Sequence, residues 1–174
     1  LSGTVLAVDG NGSGSAFDDV LTGGLNADTI AGLGGNDLIT GGLGAANVLI
    51  GGAGDDIYVV SLADASVTEN DSEGYDTLRT DLTSKVLPTH VEALDYIGTV
   101  GFTGIGNTLD NILTGGAQAD FLSGLAGNDT LNGGGGADLL IGGSGNNTLN
   151  GGSGVDSANY SAAPASISIN LAAD

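Results

Sequence analysis

The sequence predicts an all-β fold wound as a parallel solenoid, with short strands separated by glycine turns. Three observations predict it. From residue 14 much of the chain divides into nine-residue units that open on glycines and carry an acid or amide near position six. One apolar residue recurs near position eight of each unit. The 174 residues include 34 glycines, no Cys, Met or Trp, and only 4% aromatics. So few large side chains cannot fill a conventional globular core, but Leu, Ile and Val can fill thin layers.

The first block runs GSAFDDVLT from Gly14, then GGLNADTIA, GLGGNDLIT, GGLGAANVLI with one extra residue, and GGAGDDIYV. The second starts at Gly106 and keeps a strict nine-residue step: GNTLDNILT, GGAQADFLS, GLAGNDTLN, GGGGADLLI, GGSGNNTLN and GGSGVDSAN. The shared pattern is Gly-Gly-x-Gly-x-Asp-x-(Leu/Ile)-x. Paired glycines permit positive φ and close backbone approach, so the first six residues make a tight turn. The last three alternate outward, inward, outward, as a short strand does. The predicted inward residues are Leu21, Ile30, Ile39, Leu49, Tyr58, Leu113, Leu122, Leu131, Leu140 and Leu149. One turn plus one strand reverses the chain, so two units close one coil and strands two units apart stack in parallel.

Every second position-six residue then falls on one edge. In the first block these positions are Asp19, Asp28, Asp37, Ala46 and Asp56; in the second, Asn111, Asp120, Asp129, Asp138, Asn147 and Asp156. Adjacent coils sit about 4.8 Å apart. Ionised carboxylates stacked that closely repel unless a cation lies between them. Calcium suits the position, since it takes six to eight hard oxygen ligands in flexible geometry, and glycine turns expose backbone carbonyls to complete the shell.

Charge points the same way. There are 21 acidic residues against two basic ones, Arg79 and Lys85, a formal net charge of −19. Self-repulsion on that scale opposes compaction. It also excludes nucleic acid as a partner, for no basic patch is available to neutralise phosphates. A disordered acidic chain is the alternative reading of the composition; 40% hydrophobic content and the repeats count against it. No apolar stretch of about 20 residues predicts a membrane span, and no signal-peptide pattern opens the sequence. Both ends, Leu1 and Ala172-Ala173-Asp174, read as cut from a longer protein. The absence of Cys excludes disulfides and thiolate metal sites.

The two blocks resemble the haemolysin-type, or RTX, nonapeptide repeats, a motif with known calcium binding. The matching units cover roughly 100 of the 174 residues, and eleven of them in two registers are a specific signal. The resemblance implies a parallel β-roll with several Ca²⁺ ions between successive turns on both edges. It implies metal ligation by the side chains of Asp19, Asp28, Asp37, Asp56, Asn111, Asp120, Asp129, Asp138, Asn147 and Asp156. It also implies backbone carbonyl ligands, from the second and fourth residues of one turn and the first and third of the facing turn. These are Gly23, Gly32, Gly34, Gly51, Gly52, Gly54, Gly115, Gly116, Gly124, Gly133, Gly134, Gly136, Gly142, Gly143, Gly145, Gly151, Gly152 and Gly154.

Departures grade the expected sites. The pairs 19/37, 37/56, 120/138 and 138/156 are Asp–Asp, while 111/129 and 129/147 are Asp–Asn. Ala46 offers no oxygen opposite Asp28, although Asn47 is one position away, so the 28/46 site is expected to be the poorest. Asn26 and Gln118 replace the fourth-position glycine, and Leu33 and Leu125 the second.

Residues 60–105 lack the nonapeptide but keep strand-like spacing in Val67/Glu69, Leu78/Thr80, Val91/Ala93, Leu94/Tyr96 and Val100/Phe102. Pro88 and the Glu69–Gly74 stretch read as turns. The segment resembles spacers that interrupt such repeats, with VTE- and VEAL-like strands, and is expected to continue the solenoid with wider coils. The alternative is a flexible linker between two rolls, against which its apolar content counts. The expected organisation is a flanking strand in 1–13, a first block in 14–59, a β spacer in 60–105, a second block in 106–159, and a flanking strand in 160–174. The strands Thr4–Val8 and Ser166–Leu171 are expected to cap ends that would otherwise invite aggregation.

Constellations that mimic chemistry have plainer readings. His90, the sole histidine, has nothing to place a serine beside it and reads as a surface residue; with one His and no Cys, a zinc site is not expected either. Asp9–Gly14 resembles the start of an EF-hand loop, but position twelve is Val20 where a bidentate Glu is needed. Gly133–Gly136 lacks the Gly-Lys-Ser/Thr ending of a phosphate loop. Thr130 and Asn132 belong to no regular threonine array of the kind an ice-binding face needs.

No catalytic residue is expected. The resemblance implies a calcium-binding module of a secreted bacterial protein, extracellular or at the cell surface. Such a module folds on Ca²⁺ outside the cell and supports type I secretion and the stability of adjacent domains. The alternative is an extracellular polysaccharide-binding or adhesive cell-surface module, for which the sequence offers neither aromatic platform nor basic groove.

Overall fold

Alternation of inward and outward residues at the end of each unit yields strands of three to seven residues, the longer ones running into the first glycines of the next turn. The computed structural model describes residues 5–44, 46–63, 65–159, 161 and 167–171. Every regular element among them is a strand, and no helix is long and apolar enough to cross a membrane. The chain forms two compact units, Leu1–Arg79 with Pro88–Val91, and Thr80–Leu87 with Glu92–Asp174.

The first unit winds between two parallel sheets. One carries Val5–Val8, Val20–Gly23, Leu38–Thr40, Ile57–Val60 and Thr77–Thr80 in that order; the other carries Asn11–Ser13, Thr29–Gly34, Val48–Ala53 and Ser66–Thr68. Register is kept by apolar partners such as Leu21↔Ile39↔Tyr58 and Ile30↔Leu49↔Val67. The second unit repeats the plan. Ala93–Tyr96, Ile112–Thr114, Thr130–Gly135, Asn147–Ser153 and Ile167–Asn170 form one wall; Ser84–Val86, Thr103–Ile105, Phe121–Ser123, Leu139–Ile141 and Ser157–Asn159 form the other. Each unit is thus a parallel β-roll.

All ten residues predicted to face inward are completely buried. Burial of each Leu or Ile contributes on the order of 1.5–3 kcal/mol, and the thin core depends on every layer. Strands also form in residues 60–105, where the coils widen slightly: the partner of Asp56 lies 20 residues on, and Ser84 pairs with Thr103, against a step of 18 among the second block's repeats. Larger side chains fill the second unit's wider coil, where the Tyr96 and Phe102 rings stack at 4.4 Å with planes 7° apart.

Val5–Val8 pairs with Val20–Gly23, and Ile167–Asn170 with Asn147–Asn150, each as an outermost strand. Thr4, Ser166 and the terminal Ala172-Ala173-Asp174, on which other expectations rested, lie outside the described residues. At the outer strand Ser84–Val86, Lys85 holds the register position that Leu122 and Leu140 hold deeper in the sheet. Burial pulls its pKa down. An inward charge on an edge strand discourages further pairing.

Candidate metal centre

The glycine turns carry the position-six side chains inward, into buried rows at the edges of the rolls. In the first unit Asp19 N donates to Asp37 Oδ1 (2.7 Å), Asp37 N to Asp56 Oδ1 (2.7 Å) and Asp56 N to Asp76 Oδ1 (2.8 Å). On its other edge Gly10 N donates to Asp28 Oδ1, and Asp28 N to Asn47 Oδ1 (2.9 Å). In the second unit one row links Phe102 N to Asp120, Asp120 N to Asp138 and Asp138 N to Asp156 at 2.7–3.0 Å. The other links Asn111 N to Asp129 and Asp129 N to Asn147 at 2.8–2.9 Å. Each amide is therefore satisfied by the carboxylate or amide side chain of the following coil.

One assignment needs correcting. The extra residue in Gly41–Ile50 is absorbed within the turn, where Ala46 adopts φ 58°. Asn47, buried, takes the row position opposite Asp28. The 28/46 pair is a 28/47 pair, with a neutral oxygen where none was expected.

A second row runs outside the first and in the opposite sense. Asn36 N donates back to Asp18 Oδ1 (2.8 Å), Asp55 N to Asn36 Oδ1 (3.0 Å) and Tyr75 N to Asp55 Oδ1 (2.9 Å). Asn128 N and Asn146 N do likewise toward Asp110 and Asn128 in the second unit. The Asp110 carboxyl is held below its usual range by the Asn128 backbone and side-chain donors.

The turns themselves fall into two kinds. The first two turns of each block have Phe17, Asn26, Leu109 or Gln118 at position four. There the second residue's own amide closes onto the position-six side chain: Ser15 N to Asp19 Oδ2, Gly24 N to Asp28 Oδ2, Asn107 N to Asn111 Oδ1, and Gly116 N to Asp120 Oδ2. Apart from Gly41–Ile50, where the positive φ falls at Gly42 and Ala46, the inner turns have glycine at position four with φ between 97° and 132°, and a positive φ at position two as well. Leu33 and Leu125 hold that position-two conformation, unusual for a side chain bearing a Cβ, at φ 83° and 76°. With these peptides turned over, the second amide no longer reaches the carboxylate. Oδ2 of Asp37, Asp56, Asp129, Asp138 and Asp156 is buried with no hydrogen-bond partner.

These orphaned oxygens sit among other oxygens. A Cβ on Gly133 would meet both Asp138 Oδ2 and the Gly151 carbonyl, and one on Gly32 both Asp37 Oδ2 and the Gly51 carbonyl. The second- and fourth-residue carbonyls of inner turns aim at the next coil's glycines: Leu125 O at Gly143, Gly127 O at Gly145, Gly134 O at Gly152, Gly136 O at Gly154. A dry cluster of oxygens without donors raises the cost of ionisation. Burial lifts the Asp37, Asp129 and Asp138 carboxyls to about 6 and Asp56 to about 7. Carboxylate oxygens lacking donors, beside backbone carbonyls, are the donor set calcium takes. The residues present fit that ion, which when bound supplies the positive charge the rows lack.

Two acids escaped the sequence reading. Asp76 continues the row of Asp56, and Glu69 is buried beside Gly51, whose amide donates to its Oε1 at 3.2 Å. Burial, followed by the Asp76, Asp56 and Glu73 charges, pushes Glu69 up to about 8. Gly74-x-Asp76-x-Leu78 repeats half of the nonapeptide and could have flagged Asp76; nothing local marks Glu69. His90, by contrast, lies 4.0 Å from the exposed carboxylate of Asp71. Asp9, in the loop that resembled an EF-hand, accepts from Asn26 Nδ2 of the next coil's turn (2.6 Å).

The RTX calcium-binding nonapeptide repeat matches the chain four times, at residues 13–47, 45–60, 105–140 and 132–159. Two similar proteins of Rhizobium meliloti (strain 1021) are each named endo-1,3-1,4-beta-glycanase. ExsH is 37% identical over 89 residues, 51% of this chain and 19% of its own length. EglC is 38% identical over 85 residues, 49% of this chain and 18% of its own length. The chain thus spans about a fifth of the length of these curated relatives. With matches over more than half of its residues, and with the buried carboxylate rows such repeats require, the chain belongs to the RTX calcium-binding nonapeptide-repeat family.

Proposed function

We propose that this chain is a calcium-dependent structural module of a secreted bacterial protein, folding where Ca²⁺ is plentiful outside the cell and supporting the export and stability of a neighbouring domain. The observation that carries the reading is the set of buried, partnerless Oδ2 atoms on the inner turns. A chain of net charge −19 that buries such groups resists compaction until a cation arrives. Binding free energy at a site absent from the unfolded chain then becomes folding free energy. Asp37/Asp56, Asp129/Asn147 and Asp138/Asp156, paired between inner turns, would hold ions first, together with the facing glycine carbonyls. Pairs containing a self-closed turn, 19/37, 28/47, 111/129 and 120/138, would hold them less readily.

The glycanase names of the two relatives favour a role beside a carbohydrate-active domain, with the roll itself non-catalytic. The test is a calcium titration of the chelator-treated chain, followed by circular dichroism and hydrogen exchange. Ca²⁺ should drive the gain of β signal. Magnesium should do so poorly, because it demands tight octahedral geometry and keeps its waters. Identical spectra and identical exchange with and without chelator would overturn the reading.

A further inference from the structure

We propose that Asp56, Glu69 and Asp76 build an additional divalent-cation site, of the all-oxygen class that suits calcium, where the first repeat block runs out. It extends the calcium reading of the repeats, since Asp56 also stands in their buried row. Glu69 and Asp76 lie beyond the residues matched by the repeat family.

One carboxylate oxygen from each of the three residues lies within 4.8 Å of the others, and all three residues are buried. Asp56 Oδ2 and Glu69 Oε2 have no hydrogen-bond partner. A fourth oxygen, outside the acid cluster, points the same way: the hydroxyl of Tyr58, a completely buried side chain, is also without a partner. A buried tyrosine hydroxyl normally finds one. These oxygens converge because Gly51 has no side chain. A Cβ there would collide with Asp56 Oδ2, Tyr58 OH and Glu69 Oε1 together.

The local sequence explains the convergence. Ile50 pairs with Thr68, so Glu69 falls beside Gly51, where another nonapeptide would place a glycine. Asp76 arrives from the next coil and accepts from Asp56 N. On the strand that follows, Leu78 and Thr80 are buried and Arg79 is half-buried. Three clustered carboxylates in a dry pocket must either take up protons or share a cation. A cation would take the Tyr58 hydroxyl oxygen as a further neutral ligand and so give that oxygen the partner it lacks.

Glu69→Gln separates the two, because the amide keeps the shape and the acceptor for Gly51 N. Native mass spectrometry of the full chain at saturating Ca²⁺ should count one ion fewer in Glu69→Gln than in the parent. In chelator the same variant should melt higher than the parent, because one carboxylate of a repelling cluster is gone. Asp76→Asn provides the same count if Glu69→Gln does not fold. Asp138→Ala, which leaves no side-chain oxygen, serves as reference for the repeat rows and should lower the count independently. A full ion count in the Glu69 and Asp76 variants, with a lowered count in Asp138→Ala, overturns this site and leaves the repeat reading standing. Full counts in all three overturn both.

Discussion

The opening turns of each block and the inner turns are built from nearly the same residues, yet they settle their carboxylates in opposite ways. At Asp28 or Asp120 the turn folds its own amide onto Oδ2. At Asp37, Asp129 or Asp138 two positive-φ residues turn that amide away and leave the oxygen bare. The first kind completes itself within nine residues. The second is incomplete until something positively charged enters. At these turns the two kinds differ at position four: Asn26 or Gln118 on one side, Gly35, Gly127 or Gly136 on the other. The number of aspartates is therefore a poor guide to the number of strong ion sites.

Calcium removal should have the largest effect and should divide the two kinds. In chelator, amide exchange should rise most across residues 129–156, where inner turns follow one another, and less at Gly24 and Gly116, whose amides are already bonded within their own turns. Uniform loss of protection would erase the distinction. Next in size is Asp138→Ala, which removes a buried carboxylate from between Asp120 and Asp156. Breaking such a network costs on the order of 3–5 kcal/mol, read as a lowered melting temperature in calcium. Asp28→Ala, on a self-closed turn facing the neutral Asn47, should cost about 1–2 kcal/mol. Equal shifts from these two changes, which alter charge identically, would break the comparison.

Much of this was legible beforehand. The inward positions from Leu21 to Leu149 follow from strand alternation alone, because a thin core admits one apolar residue per strand. The row partners follow from the 18-residue coil. Asn47 was misjudged because a constant step cannot show whether an inserted residue shifts the turn or the strand; hydrophobic register at Leu49 held the strand and the turn absorbed it. Glu69 was invisible because its role comes from standing beside Gly51, eighteen residues away, not from any motif around it. The two turn kinds were hidden for a third reason. The position-four substitutions were plain, but their effect on the second amide depends on backbone torsions.

Acidity offers a sharper, smaller test. Asp37, Asp129 and Asp138 sit near 6 and Asp56 near 7 in the metal-free fold, above their unfolded values. The folded state then binds protons more tightly than the unfolded one. The stability this contributes is present below about pH 4 and is lost as pH rises through 6 to 7. In chelator the melting temperature should fall over that window, while calcium affinity should rise over it as protons leave the same oxygens. A melting temperature that instead rose from pH 5 to 8 in chelator would contradict the dry inner turns. Smallest of all should be Gln118→Gly. Freeing the turn to open costs about 0.5–1 kcal/mol of metal-free stability and should expose the Gly116 amide to exchange. It should lower the calcium needed at half saturation by a few fold, a factor worth about 1 kcal/mol. An unmoved calcium midpoint would mean that position four does not govern the turn.

The two hydrogen-bonded rows also give each roll a direction. Along the buried row every coil presents its acceptor toward the chain's beginning, and along the outer row toward its end. The upper and lower faces of a coil are therefore chemically unlike. A coil can settle on the unlike face of another, but two like faces meet acceptor to acceptor in one row and donor to donor in the other. Growth of the stack is polar, as in a filament whose ends elongate by different reactions. The order in which coils are delivered matters even though they are nearly identical. A coil that arrives before its C-terminal neighbour must hold its buried amide bare until that neighbour docks.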